Sequence, residues 1–242
     1  VIPQDPIESP IMATPLSLAT LSDLPEGVRV PSYDRASLSP GIVHIGLGNF
    51  HRAHQAWYLH RLMDAGQAHD WAILGAGVRP ADASAREKML AQDCLTTLIE
   101  LDPAGKSAEV TGSMVDYIAV AEGNAPLIAA MSAPEIRIVA LTVTEGGYYQ
   151  KDGTFDAGHA DMAHDAAHPD TPRSAFGAMV AALRAAAARE ADPSRLGLLV
   201  PRLIDPAGSV NAPVYLNGPL GWVWRRRLRP GQTVRGLSFA AA

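Results

Sequence analysis

The sequence predicts an α/β fold, a doubly wound and mostly parallel sheet with helices on both faces. Three observations carry this. Ile42-Val43-His44-Ile45 is a short β-branched run of the kind buried in a parallel sheet, and Gly46-Leu47-Gly48 breaks it at once. Ala56, Leu59 and Met63 then recur at helical spacing before a second apolar run, Trp71-Ala72-Ile73-Leu74. A third run, Ile136 to Val143, is the most convincing strand in the chain. Strands that alternate with helices imply parallel pairing, and ligands of such sheets sit at the carboxyl ends of the strands.

The remaining elements follow in order. Gly66 is placed to end the first helix. Pro80 suits the first turn of the next, which Ala85, Met89 and Leu90 could seat on the sheet before Leu95 to Leu101 forms another extended segment. Leu127 to Met131 reads as helix, Pro169 stops any helix carrying His164 and His168, and Phe176 to Arg189 reads as a last helix.

With 48% hydrophobic and 19% charged residues, the 242-residue chain has apolar material for one large domain or two small ones, which excludes a disordered protein. Its longest apolar stretches fall far short of the roughly 20 residues of a bilayer span. The single cysteine, Cys94, excludes an internal disulfide framework and fits a reducing cytoplasm. Net charge −5 gives no reason to seek nucleic acid, so small molecules are the expected partners. The charge is uneven: residues 1–189 hold 13 Lys and Arg against 22 Asp and Glu, while residues 190–242 hold 7 arginines against 3 acids. That Arg, Pro and Gly-rich tail keeps no period for long and is set apart as its own unit. Residues 1–29 form a lead-in, within which Met12 is the expected start of translation, and residues 30–189 form the expected α/β domain.

Gly46-Leu47-Gly48-Asn49-Phe50-His51 is a dinucleotide fingerprint with His51 where a third glycine is usual. The first glycine allows the tight turn, the second lets backbone approach a pyrophosphate, and the helix amino terminus offers free N–H groups. Two glycines at a strand end also serve as a plain turn. Asp82 is the candidate acid for the adenosine ribose, and capping the following helix is its other reading. Arg52, beside Phe50, His51 and His54, lies either near a phosphate or on a solvated helix start. Glu145, directly off the carboxyl end of the third strand, stands where a proton-handling group belongs, or is a loop acid in a turn made by Gly146 and Gly147. His159, His164 and His168 have spacings that match no metal-ligand pattern closely, so no metal is expected. Cys94 reads as a buried, inert thiol.

Taken together, Gly46 to Gln55, Gly75 to Arg79, Gln92-Asp93, Ile136 to Tyr148, His164 to Pro169 and Arg173 to Gly177 resemble the mannitol 2-dehydrogenase family of polyol-specific long-chain dehydrogenases, over about Val30 to Arg189. The resemblance implies a Rossmann-like amino-terminal domain and an NAD-dependent oxidoreductase, which interconverts D-mannitol and D-fructose without a metal. Fructuronate reductase and arabinitol dehydrogenase relatives share these motifs, and a non-catalytic dinucleotide-binding module is the alternative of another class. By resemblance Ile45, Gly46, Leu47, Gly48, Asn49, Phe50, His51, Arg52 and Ala53 form the cofactor loop, with Thr144 also on the cofactor. Asp82 favours NAD over NADP because a carboxylate repels a 2′-phosphate, although many relatives carry a second acid where Pro80 stands. Glu145 matches a family glutamate that moves the substrate proton toward solvent.

The family continues into a Ser-Cys-Asp-Asn strand and a helical carboxyl-terminal domain that supplies the catalytic lysine. This sequence has no lysine after Lys151 and no cysteine after Cys94, so that domain is expected to be absent and the chain inactive by itself. The composition of residues 190–242 suggests a reading-frame slip near Ala191. Oligomeric state is not legible.

Overall fold

The computed structural model describes residues 15–103, 105–143, 145–152, 154–189, 197–199 and 223–225. Its central sheet has the order β5 (Met114–Tyr117), β2 (Ala72–Ala76), β1 (Pro40–Ile45), β6 (Ile138–Leu141), β10 (Val223–Arg225), β9 (Gly197–Leu199). Strands β1, β2, β5 and β6 run parallel. Two short strands from the tail, β9 and β10, extend the sheet antiparallel from β6. The doubly wound parallel sheet expected from the sequence is therefore the core of the molecule.

Period-two alternation on β1 divides the core. Val43 and Ile45 point to one face, where they pack with Val139 and Leu141 of β6 against α4 (Ala125–Ser132) and α6 (Ala175–Arg189). Ala178, Ala182 and Ala186 recur every fourth residue along α6 and are fully buried, so the alanine-rich stretch is a close-packing stripe. Ile42 points to the other face, toward Ala56, Ile73, Met89 and Met114. That layer is built by α1 (Asn49–Ala53), α2 (Gln55–Asp64) and α3 (Asp82–Ala91).

Three expectations are corrected. The helix after the glycine loop is two helices, because His54 leaves helical geometry at φ −120°, ψ −84° and separates α1 from α2. Ala85 of α3 is exposed, and Met89 and Leu90 alone of the expected trio face the sheet. The extended segment near Leu95 does not join the parallel sheet: β3 (Thr96–Asp102) pairs antiparallel with β4 (Gly105–Thr111) as a separate hairpin. Local periodicity specifies a strand but not its partner, and the short loop around Pro103 favours the neighbouring strand. The hairpin leaves Ile99 60% and Leu101 73% exposed.

Beyond β6, the chain forms a 3-10 turn at Glu145–Tyr148, a small ribbon of β7 (Gln150–Lys151) and β8 (Thr154–Phe155), and α5 (Ala160–Ala167). Asp165 of α5 accepts from the backbone N–H groups of Arg173 and Ser174 and from the Ser174 hydroxyl, which ties α5 to the start of α6.

Candidate functional site

The strand order places a switch point beside β1. The connection from β1 through α1 and α2 leads to β2 on one side, while β6 lies on the other, so the loops leaving β1 and β6 diverge over a shared crevice. The sequence-assigned residues that the structure describes run from the end of β1 through α1, open α3 and follow β6.

Ile45 is buried as the last residue of β1, and Gly46 turns the chain at φ +88°. A side chain at Gly46 would run into the Thr142 carbonyl at the end of β6, so no other residue fits. The Gly46 N–H donates to the Ala76 carbonyl at 2.9 Å, and the Thr142 hydroxyl donates to the Gly46 carbonyl at 2.8 Å. The turn is thus bonded to both neighbouring strand ends. Leu47 folds back over Gly75 to pack with the α1–α3 layer.

Gly48 is different. Its φ of −69° is open to any residue, yet a Cβ there would meet nothing within 4 Å. The backbone is bare toward solvent at the point where the fingerprint requires approach to a phosphate. Asn49 and Phe50 are exposed, Phe50 stacking on His54 with ring centroids 3.9 Å apart, and Ala53 is half-buried. Arg52 is held by Asn49, whose Oδ1 accepts from its guanidinium at 2.5 Å, while the buried Arg52 Nε has no partner. A bare backbone next to an incompletely paired guanidinium fits the pyrophosphate of a dinucleotide. The helix dipole contributes little, because α1 is a single turn.

Asp82 lies beyond β2, and its Oδ2 accepts from the N–H groups of Val78 and Arg79, each at 2.9 Å. One carboxylate oxygen therefore braces the β2–α3 turn; Asp82 is the first residue of α3, and the expected cap of that helix is not made, the cap position being Ala81 without a side-chain bond. Glu145 begins the 3-10 turn that follows β6. Thr144 and the side chain of Glu145 lie outside the described residues.

Beneath the glycine loop is a feature the sequence reading missed. His44 of β1 and His51 of α1 are both almost fully buried and stack with centroids 3.6 Å apart and planes 19° from parallel. Burial holds the His44 pKa far below its ordinary value, with His51 adding to the effect. Burial likewise pushes His51 down to about 4, and Arg52 works in the same direction. Gln55 lies close enough to favour the charged rings but not in line to bond His44 Nδ1 or either His51 nitrogen. The flat stack fills the space between α1 and β1 at the position where the fingerprint usually carries a third glycine. A histidine inside an apolar strand was the available signal.

The histidines of the 159–168 stretch do not converge on a metal geometry. His164 lies beside His168 with the rings tilted by 40° and faces Asp165, whose carboxyl is held below its usual range: burial opposes this, but the bonds from Arg173 and Ser174 outweigh it. Among the described residues, the group with metal-like spacing is His60, Asp64 and Glu109. Glu109, however, already receives Arg29, Arg61 and the Trp57 indole at 2.6–3.1 Å, so its charge is spent on two guanidinium groups. The groove beside it, lined by Arg29, Trp57, Tyr58 and Ile99 among others, includes only Ala53 of the sequence-assigned site residues. Cys94 is buried, and burial first of all pushes its thiol up to about 11, as expected of an unreactive cysteine.

Fold and loop geometry together define a Rossmann domain. Residues 40–196 match the mannitol dehydrogenase Rossmann domain model, and the chain belongs to that family. It is 64% identical to mannitol 2-dehydrogenase of Cereibacter sphaeroides over 156 residues, covering 64% of this chain and 33% of that one. It is 42% identical over 170 residues to the polyol:NADP oxidoreductase of Gluconobacter oxydans, covering 68% and 35%. Among solved structures, mannitol 2-dehydrogenase of Pseudomonas fluorescens, in a ternary complex with NAD and D-mannitol, superposes with TM-score 0.67 at 44% identity, covering 72% of this chain and 36% of that one. A D-sorbitol dehydrogenase in substrate-free form gives TM-score 0.62 at 38% identity, covering 70% and 36%. The chain thus spans about a third of the length of these relatives. No helix among the described residues is long and apolar enough to cross a membrane.

Proposed function

We propose that this chain is the cofactor-binding part of a polyol dehydrogenase, that it takes NAD at the carboxyl ends of β1 and β6, and that D-mannitol and D-fructose are the substrate pair of the whole enzyme. The observation that carries the reading is the pair of glycines with opposite constraints: Gly46 locked between two strand ends, Gly48 bare over the crevice. In this reading residues 30–189 are the dinucleotide-binding unit, with residues 1–29 a lead-in and residues 190–242 a tail whose strands β9 and β10 extend the unit's sheet.

Bound NAD would accept hydride from the carbinol carbon of the polyol. The work of this chain's own residues is to hold it. The backbone N–H groups between Ile45 and Ala53 that are not already bonded within the fold, with the Arg52 guanidinium, receive the pyrophosphate, and the free oxygen of Asp82 faces the adenosine ribose and disfavours a 2′-phosphate. Thr144 contacts the cofactor, and Glu145, which follows β6 in the chain, passes the hydroxyl proton toward solvent. The base that takes this proton first is the lysine that the family resemblance assigns beyond the matched region, and no lysine follows Lys151 here.

The test is calorimetric titration of the full chain with NADH and with NADPH, beside an assay of NAD reduction by D-mannitol. Saturable NADH binding, weaker NADPH binding and no turnover are expected. Absence of NADH binding would overturn the cofactor reading, and turnover at an ordinary enzymatic rate would overturn the missing-base reading.

A further inference from the structure

Gly46 must place its carbonyl in one direction for the loop to leave β1 correctly, and a short hydrogen-bonded chain controls that direction. The Thr142 hydroxyl lies 2.8 Å from the Gly46 carbonyl and 2.9 Å from His44 Nε2. A carbonyl only accepts, so the one hydroxyl hydrogen of Thr142 goes to Gly46. The Thr142 oxygen is then left to accept from His44, which fixes the proton of His44 on Nε2. We propose that His44 and Thr142 are positioning residues of the cofactor loop, acting through a relay from His44 Nε2–H to the Thr142 hydroxyl to the Gly46 carbonyl that sets the plane of the Gly46–Leu47 peptide.

Three further features point the same way. The Thr142 N–H donates to the Ile45 carbonyl and the Gly46 N–H to the Ala76 carbonyl, each at 2.9 Å, so the relay is the remaining bond needed to hold the first glycine on all sides. His51 lies flat on His44 and restricts rotation of its ring about the Cβ–Cγ bond. The stacked pair also tolerates three unpartnered ring nitrogens, Nδ1 of His44 and both nitrogens of His51. An apolar residue at His44 would avoid one of these vacancies but could not donate to Thr142. Burial keeps His44 neutral at physiological pH, so a single tautomer serves throughout.

This inference rests on the proposed NAD site for its purpose, and its test separates the two. In the full chain, ring nitrogen chemical shifts of His44 are expected to show the Nε2–H tautomer without NADH and to hold it from pH 8 to pH 5; an Nδ1–H tautomer overturns the relay whatever NADH does. Thr142→Val keeps the branched shape and removes the hydroxyl, and is expected to bind NADH about tenfold more weakly. Thr142→Ser restores the hydroxyl and is expected to restore the affinity. A Thr142→Val protein that binds NADH as the wild type does, or a Thr142→Ser protein as weak as the valine variant, overturns the inference while leaving the cofactor site standing. Failure of the wild type itself to bind NADH overturns both.

Discussion

Acidification should unfold this protein through the buried histidine pair. His51 in an unfolded chain titrates near its ordinary 6.5, and in the fold burial brings it down to about 4. Between those values the unfolded state binds more protons than the folded one, so stability is full above pH 6.5 and falls as pH drops through 6.5 toward 4. At roughly 1.36 kcal/mol per unit, the linkage relation gives a loss of about 2 kcal/mol from His51 alone between pH 7 and pH 5. His44 and His60 are shifted in the same direction and add to the wild-type loss. The depressed carboxyls of Glu109 and Asp165 act with the same sign but at lower pH, below the window of the measurement. His51→Phe retains a ring against His44 and removes the titration. Urea unfolding followed by tryptophan fluorescence at pH 7 and pH 5 should show the wild type losing about 2 kcal/mol more than His51→Phe over that interval. Equal losses in the two proteins would refute the assignment of His51 as a neutral core residue.

The two glycines should separate cleanly. Gly48→Leu places its side chain in open space, so thermal melting should be unchanged while NADH binding is lost; a normal affinity would sink the placement of the pyrophosphate. Gly46→Ala meets the Thr142 carbonyl in a left-handed conformation and should destabilise the fold by at least about 1–2 kcal/mol, read as a lowered Tm. Asp165→Ala strands the N–H groups of Arg173 and Ser174 and should cost about 1–3 kcal/mol in urea, whereas an unchanged midpoint would mean that the tie between α5 and α6 contributes nothing.

The layout of the fold was legible because it depends on local pattern. The run 42–45 with its following glycines, the helix stop at Gly66 and the alanine-rich α6 each announce their own geometry. The β3–β4 hairpin was not, because which strand a segment joins is decided by tertiary pairing rather than by its own period. The break at His54 has no Gly or Pro to mark it, since His54 leaves helical geometry in the packed structure while its neighbours read as continuous helix. At the site, Gly46 and Gly48 were visible as a motif, but only the structure distinguishes the locked glycine from the bare one. Asp82 shows the limit from the other side: the sequence offers a ribose ligand and a helix cap as alternatives, and the structure instead gives one of its oxygens to N–H groups of the preceding turn. His44 and Thr142 escaped notice because a relay between two strands 98 residues apart has no spacing to read.

Backbone amide mapping of the full chain during an NADH titration tests the central claim most directly, because it reports where the cofactor lies as well as whether it binds. The account predicts saturable shifts concentrated at Gly46, Leu47, Gly48 and Arg52 and at the residues following Leu141, with the β3–β4 hairpin unmoved. No shifts at saturating NADH, or shifts centred on the groove of Arg29, Trp57 and Ile99, would contradict it.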